Sequence, residues 1–93
     1  MTRLGRDKPP KNAKKSAKNA KIHVADDKEF WILLNKKLRE EVNEYLESKN
    51  AEELADVLQV IKDIDKFKKF KVETVRKKKY KAVGGFSKRI VME

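Results

Sequence analysis

The sequence predicts an all-α protein: an antiparallel helical hairpin plus a third helix, completed into a helical bundle by oligomerisation, with short extended terminal segments. Two stretches with apolar residues at helical spacing indicate the hairpin, residues 27–48 and residues 51 to about 67–69. Only two residues separate them, which brings the helices side by side. A third helical pattern covers residues 72–83 and stops at a pair of glycines.

The chain of 93 residues is long enough for one small domain. We expect residues 1–21 to form a basic, partly flexible N-terminal segment and residues 22–93 the helical domain. Three such helices bury a thin core, so we expect a second copy to cover the remaining apolar surface, in a homodimer or homotetramer. The chain has no cysteine, which fits a cytoplasmic protein. No apolar run is long enough to span a membrane, and we expect no membrane partner.

The net charge of +10 is unevenly distributed. Residues 1–25 carry +7, residues 26–65 carry −6 and residues 66–93 carry +9. An acidic centre between basic ends suits an anionic ligand that is held by metal ions on one side and by Lys or Arg on the other. The same ends also suit non-specific adhesion to nucleic acid, which we keep as a secondary partner.

The N-terminal segment contains few signals of regular structure. Pro9 and Pro10 rule out a continuous helix, and residues 11–20 are rich in Lys and Ala without an apolar stripe, so we expect weak order there. Residues 21–24 can be extended. They lead to Asp26 and Asp27, either of which can cap the first helix.

Four carboxylates on the predicted hairpin lie where burial is expected. A helical projection places Glu41 on the apolar face of the first helix and Glu44 at the edge of that face. In the second helix Glu53 lies inside the apolar arc, and Asp56 borders it. Folding the chain back at residues 48–49 sets Glu44 opposite Glu53 and Glu41 opposite Asp56, so all four carboxylates meet.

Burying several like charges is costly unless a cation neutralises them. Oxygen ligands without His or Cys neighbours suit Mg²⁺, or Mn²⁺ as its substitute. We therefore predict a divalent-metal site. The alternative for part of this set is a capping box from Asn50 to Glu53, which explains Glu53 but leaves Glu41 unexplained.

The end of the chain is basic. The run at residues 76–79 is typical of a solvated helix face, and residues 86–92 alternate enough for a short strand or an extended tail. Lys88 and Arg89 follow the two glycines, a placement that suits contact with phosphate. Asp65 also lies on the apolar arc of the second helix, where we expect a polar contact with a partner subunit.

Several motifs resemble those of the MazG-like all-α nucleoside triphosphate pyrophosphohydrolases. Residues 40–44 match the family's E-E-x-x-E, and residues 53–56 match its E-x-x-D, with eight residues between them where the family typically has more. The flanks resemble the short, single-domain phosphoribosyl-ATP pyrophosphohydrolase-like branch. Residues 4–9 look like its L-V-R-D-K-I-P opening, residues 22–27 like its I-H-x-A-D-D segment and residues 84–90 like its G-G-F-x-K-R-I ending.

The resemblance implies Mg²⁺-dependent hydrolysis of a nucleoside or deoxynucleoside triphosphate to the monophosphate and pyrophosphate, with a role in sanitising the nucleotide pool. It also implies a bundle assembled from neighbouring subunits. The site residues that it implies are the metal ligands Glu41, Glu44, Glu53 and Asp56, the catalytic residues Glu40 and Glu41, and the phosphate-binding residues Lys8, Lys88 and Arg89. A small basic nucleic-acid-binding or regulatory helical protein without catalysis remains the alternative.

Overall fold

The computed structural model describes residues 2–8 and 22–93 and contains three α-helices in that part of the chain: α1 (Asp27–Ser48), α2 (Ala51–Lys68) and α3 (Val72–Val83). These bounds agree with the sequence-based ones, and no strand occurs among the described residues. The all-α prediction is therefore confirmed. None of these helices combines the length and apolar character needed to cross a membrane. The prediction of weak order for residues 11–20 lies outside the described residues.

Side-chain caps fix the starts of the first two helices. The Asp26 carboxylate accepts a hydrogen bond of 2.9 Å from the Glu29 backbone N–H, and the Asn50 side chain accepts one of 2.9 Å from Glu53. Each cap satisfies a backbone donor that the first helical turn leaves free. Lys49 ends α1 with a left-handed backbone, at φ 53°. Lys49 and Asn50 alone thus form the turn between α1 and α2.

The hairpin is antiparallel. The rings of Phe30, near the start of α1, and Phe67, near the end of α2, meet edge to face with centroids 5.0 Å apart. At the other end, Glu41 of α1 lies beside residues from the start of α2. Between these contacts lies the core. Its buried members are Leu34, Val60 and Ile64, packed by Leu4, Phe30, Trp31, Leu38 and Phe67.

The core of a single chain is thin, as expected. Leu33 and Val57 are buried as well, but Leu54 and Leu58 of the predicted apolar arc are 50% and 53% exposed. Half-exposed leucines on a helix face are the kind of surface that a second copy would cover. Oligomerisation itself remains a prediction.

The third helix is attached mainly through its first turn. Its first N–H, that of Val72, donates a 3.1 Å hydrogen bond to the Asp65 carboxylate. Asp65 therefore has a partner within its own chain, so its position on the apolar arc needs no contact with a second subunit. None of the residues in α3 is buried.

After α3 the chain has no regular structure. Gly84 ends the helix at φ 75°, a conformation that favours glycine. A backbone hydrogen bond of 3.1 Å from Arg89 to Phe86 then makes a turn. The strand alternative for residues 86–92 is therefore wrong, because the chain turns where a strand would have to extend.

Residues 2–8, which we call the N-terminal strap, lie against the hairpin. Leu4 packs on the core, and the Arg3 guanidinium lies 3.4 Å from the Glu40 carboxylate of α1. Arg6 forms an ion pair with Asp56 of α2. The strap thus contacts both helices of the hairpin, a docking that the sequence pattern did not predict.

Candidate metal centre

Three of the four predicted metal ligands converge. Glu41 of α1 and Glu53 and Asp56 of α2 each place one carboxylate oxygen within 4.8 Å of the other two. We call these three residues the acidic cluster. The tight turn at residues 49–50 produces it, because it sets the late turns of α1 beside the first turns of α2.

Two oxygens of the acidic cluster are buried without a hydrogen-bond partner. They are Oε2 of Glu41 and Oε2 of Glu53. Glu41 as a whole is only 7% exposed. An ionised carboxylate oxygen without a donor or a cation loses its hydration for no compensating contact, a cost of roughly 1–3 kcal/mol or more. A cation or a proton bound at these two oxygens would offset this cost.

The electrostatics of Glu41 agree with this geometry. Burial raises the pKa of its carboxyl group above the ordinary value of 4.5, and the neighbouring Glu44 carboxyl raises that pKa further. Lys37 opposes both effects but does not cancel them. Glu41 in the metal-free chain therefore retains a proton at a pH where an exposed glutamate has lost it.

Glu44 lies beside the acidic cluster but outside it. Its side chain is exposed, and it does not belong to the set of three oxygens that approach one another. It is close enough to Glu41 to affect that residue's pKa. The prediction that all four carboxylates meet therefore holds for three of them, and Glu44 as a metal ligand remains a prediction.

Two basic side chains face the cluster and its rim. The Lys37 ammonium lies 3.3 Å from Glu41 and 3.6 Å from Glu40. Arg6 of the strap pairs with Asp56. Sequence reasoning missed Lys37, although its spacing of four residues from Glu41 is the spacing at which helical side chains meet. Arg6 carries no such local signal, because fifty positions separate it from Asp56.

A cleft of about 890 Å³ opens next to the cluster, between the strap and the hairpin. Its size is within the range of small-molecule sites. The charged residues that line it are of both signs: the basic Arg6, Lys8, Lys37 and Lys66 and the acidic Asp7, Glu41 and Asp63. Its apolar floor comes from Phe30, Leu34, Val60 and Phe67. Lys8, a predicted phosphate ligand, is therefore in a position to contact an anion in this cleft.

The other predicted phosphate ligands are elsewhere. Lys88 and Arg89 are exposed in the C-terminal tail and do not line the cleft. Glu40 is at the rim, partly exposed and paired with Arg3 and Lys37. Within one chain, the structure thus brings Glu40, Glu41, Glu53, Asp56 and Lys8 to one region and leaves the tail apart.

The donor set fits a hard divalent cation. All three groups of the cluster are carboxylates, the ligand type that Mg²⁺ and Mn²⁺ prefer. The two unpaired buried oxygens belong to Glu41 on α1 and Glu53 on α2, so both helices contribute an unsatisfied acceptor to the cluster. No His or Cys is available there to favour a softer metal.

Comparisons with protein-family models, curated proteins and solved structures found no match to this chain. The class that the structure defines is an all-α helical hairpin with a third helix and an acidic cluster beside a cleft of mixed charge.

Proposed function

We propose that this chain is a Mg²⁺-dependent nucleotide pyrophosphohydrolase, which cleaves a nucleoside or deoxynucleoside triphosphate to the monophosphate and pyrophosphate. One observation carries the proposal: two buried, unpaired carboxylate oxygens from opposite helices, in Glu41 and Glu53, beside a cleft lined by basic residues. The motif resemblance at residues 40–44 and 53–56 supplies the reaction type. Removal of unwanted nucleotides in the cytoplasm is the role that this reaction suits.

The acidic cluster supplies the ligands in this proposal. Glu41, Glu53 and Asp56 hold the cation, and Glu44 holds a water molecule or a second ion at the edge. A bound divalent ion adds positive charge against the phosphates and lowers the pKa of a water molecule. Glu41 must lose its proton before it can serve as a ligand, so metal binding and deprotonation are coupled.

The basic residues of the cleft bind the polyphosphate. Lys8 and Lys66 are placed along the cleft, and their ammonium groups suit phosphate oxygens. Glu40 is paired with Arg3 and Lys37 at the rim, and in this proposal it orients a metal ligand or assists a water molecule. In their own chain, Lys88 and Arg89 lie apart from the cleft. In the proposed homodimer or homotetramer they bind the phosphates in the site of a neighbouring subunit.

Direct measurement of pyrophosphate tests the proposal. The purified chain is incubated with a panel of ribonucleoside and deoxyribonucleoside triphosphates and Mg²⁺, with pyrophosphate and phosphate measured separately. We expect pyrophosphate and the monophosphate in equal amounts from at least one nucleotide. Glu41→Gln should remove the activity, whereas Glu52→Gln, an exposed position beside Glu53 on α2, should keep it. Equal activity in wild type and Glu41→Gln would contradict the proposal.

A second candidate, a nucleic-acid-binding protein, is favoured by the surface of the C-terminal third. Residues 66–93 combine a net charge of +9 with exposed aromatic rings at Phe70, Tyr80 and Phe86, which are 51%, 60% and 98% exposed. Basic side chains with stacking rings suit single-stranded nucleic acid. Fluorescence anisotropy with a labelled oligonucleotide tests this: salt-sensitive binding that is lost when residues 77–79 are changed to Gln, with no turnover of any nucleotide, would favour this candidate.

A further inference from the structure

The N-terminal strap places a positive charge against the metal centre. Arg6 pairs with Asp56, and Leu4 anchors the strap on the hydrophobic core. The Arg6 side chain is nevertheless 57% exposed. An ion pair in this setting contributes little stability and is readily exchanged for another partner.

Arg6 leaves the cluster incompletely neutralised. It contacts Asp56, and Lys37 contacts the Oε1 atom of Glu41, but Oε2 of Glu41 and Oε2 of Glu53 have no partner. Glu41 is more than nine-tenths buried, so bulk water does not solvate that oxygen. A divalent cation can lie between both helices, whereas Arg6 pairs with one carboxylate only.

Arg6 also borders the cleft, together with Lys8 and Lys66. If Asp56 turns to a cation, the guanidinium of Arg6 is released at the edge of a cavity of about 890 Å³, beside the ammonium-bearing residues Lys8 and Lys66. Its planar set of donors matches the oxygens of a phosphate group better than a lysine does. The Arg6 guanidinium can therefore pair either with Asp56 or with a phosphate group in the cleft.

We propose that Arg6 is an exchangeable counter-cation: it holds Asp56 when the metal is absent, and it binds a phosphate of the polyphosphate ligand when a divalent cation takes Asp56. This inference rests on the proposed metal-dependent function of the acidic cluster. In it, Arg6 competes with the metal for Asp56 and binds phosphate once the metal has taken Asp56.

Two titrations of the full chain separate these roles. In the first, MnCl₂ is titrated calorimetrically into the wild type, Arg6→Gln and Arg39→Gln. Arg39 is an exposed residue of α1 outside the cleft. Arg39→Gln removes the same charge as Arg6→Gln does, so it serves as the matched control. In the second, a preformed complex of Mn²⁺ with inorganic tripolyphosphate is titrated into each protein saturated with Mn²⁺, so that the ligand does not remove metal from the protein and carries no base.

We expect Arg6→Gln to bind Mn²⁺ about threefold to tenfold more tightly, because its competitor is gone, and to bind tripolyphosphate about tenfold more weakly. Arg39→Gln should stay within about twofold of the wild type in both titrations. Unchanged or weaker Mn²⁺ binding by Arg6→Gln, or unchanged tripolyphosphate binding, overturns the inference.

The failure of the proposed function is distinguishable. If neither the wild type nor Arg6→Gln binds Mn²⁺, the metal centre and the inference both fall. If both titrations give the predicted changes but no nucleotide is hydrolysed, the exchange of Arg6 is supported and the pyrophosphohydrolase proposal fails.

Discussion

Lys37 and Glu41 lie one helical turn apart on α1, and the lysine ammonium is 3.3 Å from the buried glutamate. This contact lowers the pKa of Glu41, yet burial and the neighbouring Glu44 raise it by more. A single lysine therefore does not compensate for the desolvation of Glu41. The imbalance is the physical basis for the first three predictions.

Replacing Lys37 with Met should raise the pKa of Glu41 further, because the contact with the Lys37 ammonium stabilises the charged form of Glu41 and is then lost. The measurement is an NMR titration of the Glu41 carboxyl carbon in metal-free protein. Lys36→Met, on an exposed part of the same helix, is the control and should leave that pKa unchanged. A lower pKa in Lys37→Met would show that the contact does not exist in solution.

Replacing Glu41 with Gln should stabilise the metal-free protein at pH 8. The variant keeps the side chain's shape and removes the buried charge, a gain of about 1 kcal/mol, or roughly 4–8 °C in Tm for a domain of this size. Thermal unfolding in the presence of EDTA measures it. Glu47→Gln changes an exposed carboxylate of α1 that does not act on Glu41 and should stay within about 0.5 kcal/mol of the wild type. A less stable Glu41→Gln would mean that the carboxylate is satisfied without a metal.

The stability of the metal-free chain should depend on pH in a direction set by Glu41. Because its folded-state pKa lies above 4.5, the folded chain binds this proton more tightly than the unfolded chain does. The resulting contribution is fully present below pH 4.5 and is lost as the pH rises through the raised pKa.

The difference in unfolding free energy between wild type and Glu41→Gln isolates this contribution from those of the other carboxylates. Urea denaturation between about pH 4 and pH 8 provides it. The wild type should lose stability relative to the variant as the pH rises, and saturating Mg²⁺ should abolish or reverse this loss. A difference that does not vary with pH would contradict the raised pKa.

Sequence patterns within short stretches of the chain were sufficient to predict the fold and most of the acidic cluster. The helix bounds could be predicted because each signal involves only a few neighbouring residues. These signals are the apolar spacing, the caps at Asp26 and Asn50, and the pair of glycines at 84–85. A two-residue turn then fixes which side chains meet across the hairpin. The meeting of Glu41 with Glu53 and Asp56 follows from that turn.

Contacts made across long sequence separations could not be predicted. Arg6 and Asp56 are fifty positions apart, and no periodicity links the strap to the hairpin. The tail is a similar case: the alternation in residues 86–92 allowed a short strand or an extended tail, and no neighbouring strand is present among the described residues to pair with it. Glu44 lay at the edge of the helix face, where small rotations decide between burial and exposure.

Leu58→Lys should dissociate the proposed oligomer without unfolding the chain. Leu58 is 53% exposed in a single copy, so a charge there costs little in the monomer but is unfavourable in a covered interface. Sedimentation velocity of the wild type should show a dimer or tetramer, and that of Leu58→Lys a smaller species. Ala55→Lys adds the same charge at another exposed position of α2 and shows whether charge alone is responsible. A wild type that stays monomeric at all concentrations would exclude the oligomer.

Calorimetric titration of Mn²⁺ into wild type, Glu41→Gln and Glu52→Gln tests the metal centre most directly. The account predicts saturable binding by the wild type and by Glu52→Gln, and binding at least about tenfold weaker in Glu41→Gln, because one of the buried ligands is then neutral. Equal Mn²⁺ binding by all three proteins, or no binding by the wild type, would contradict the claim that these carboxylates are buried in order to hold a divalent ion.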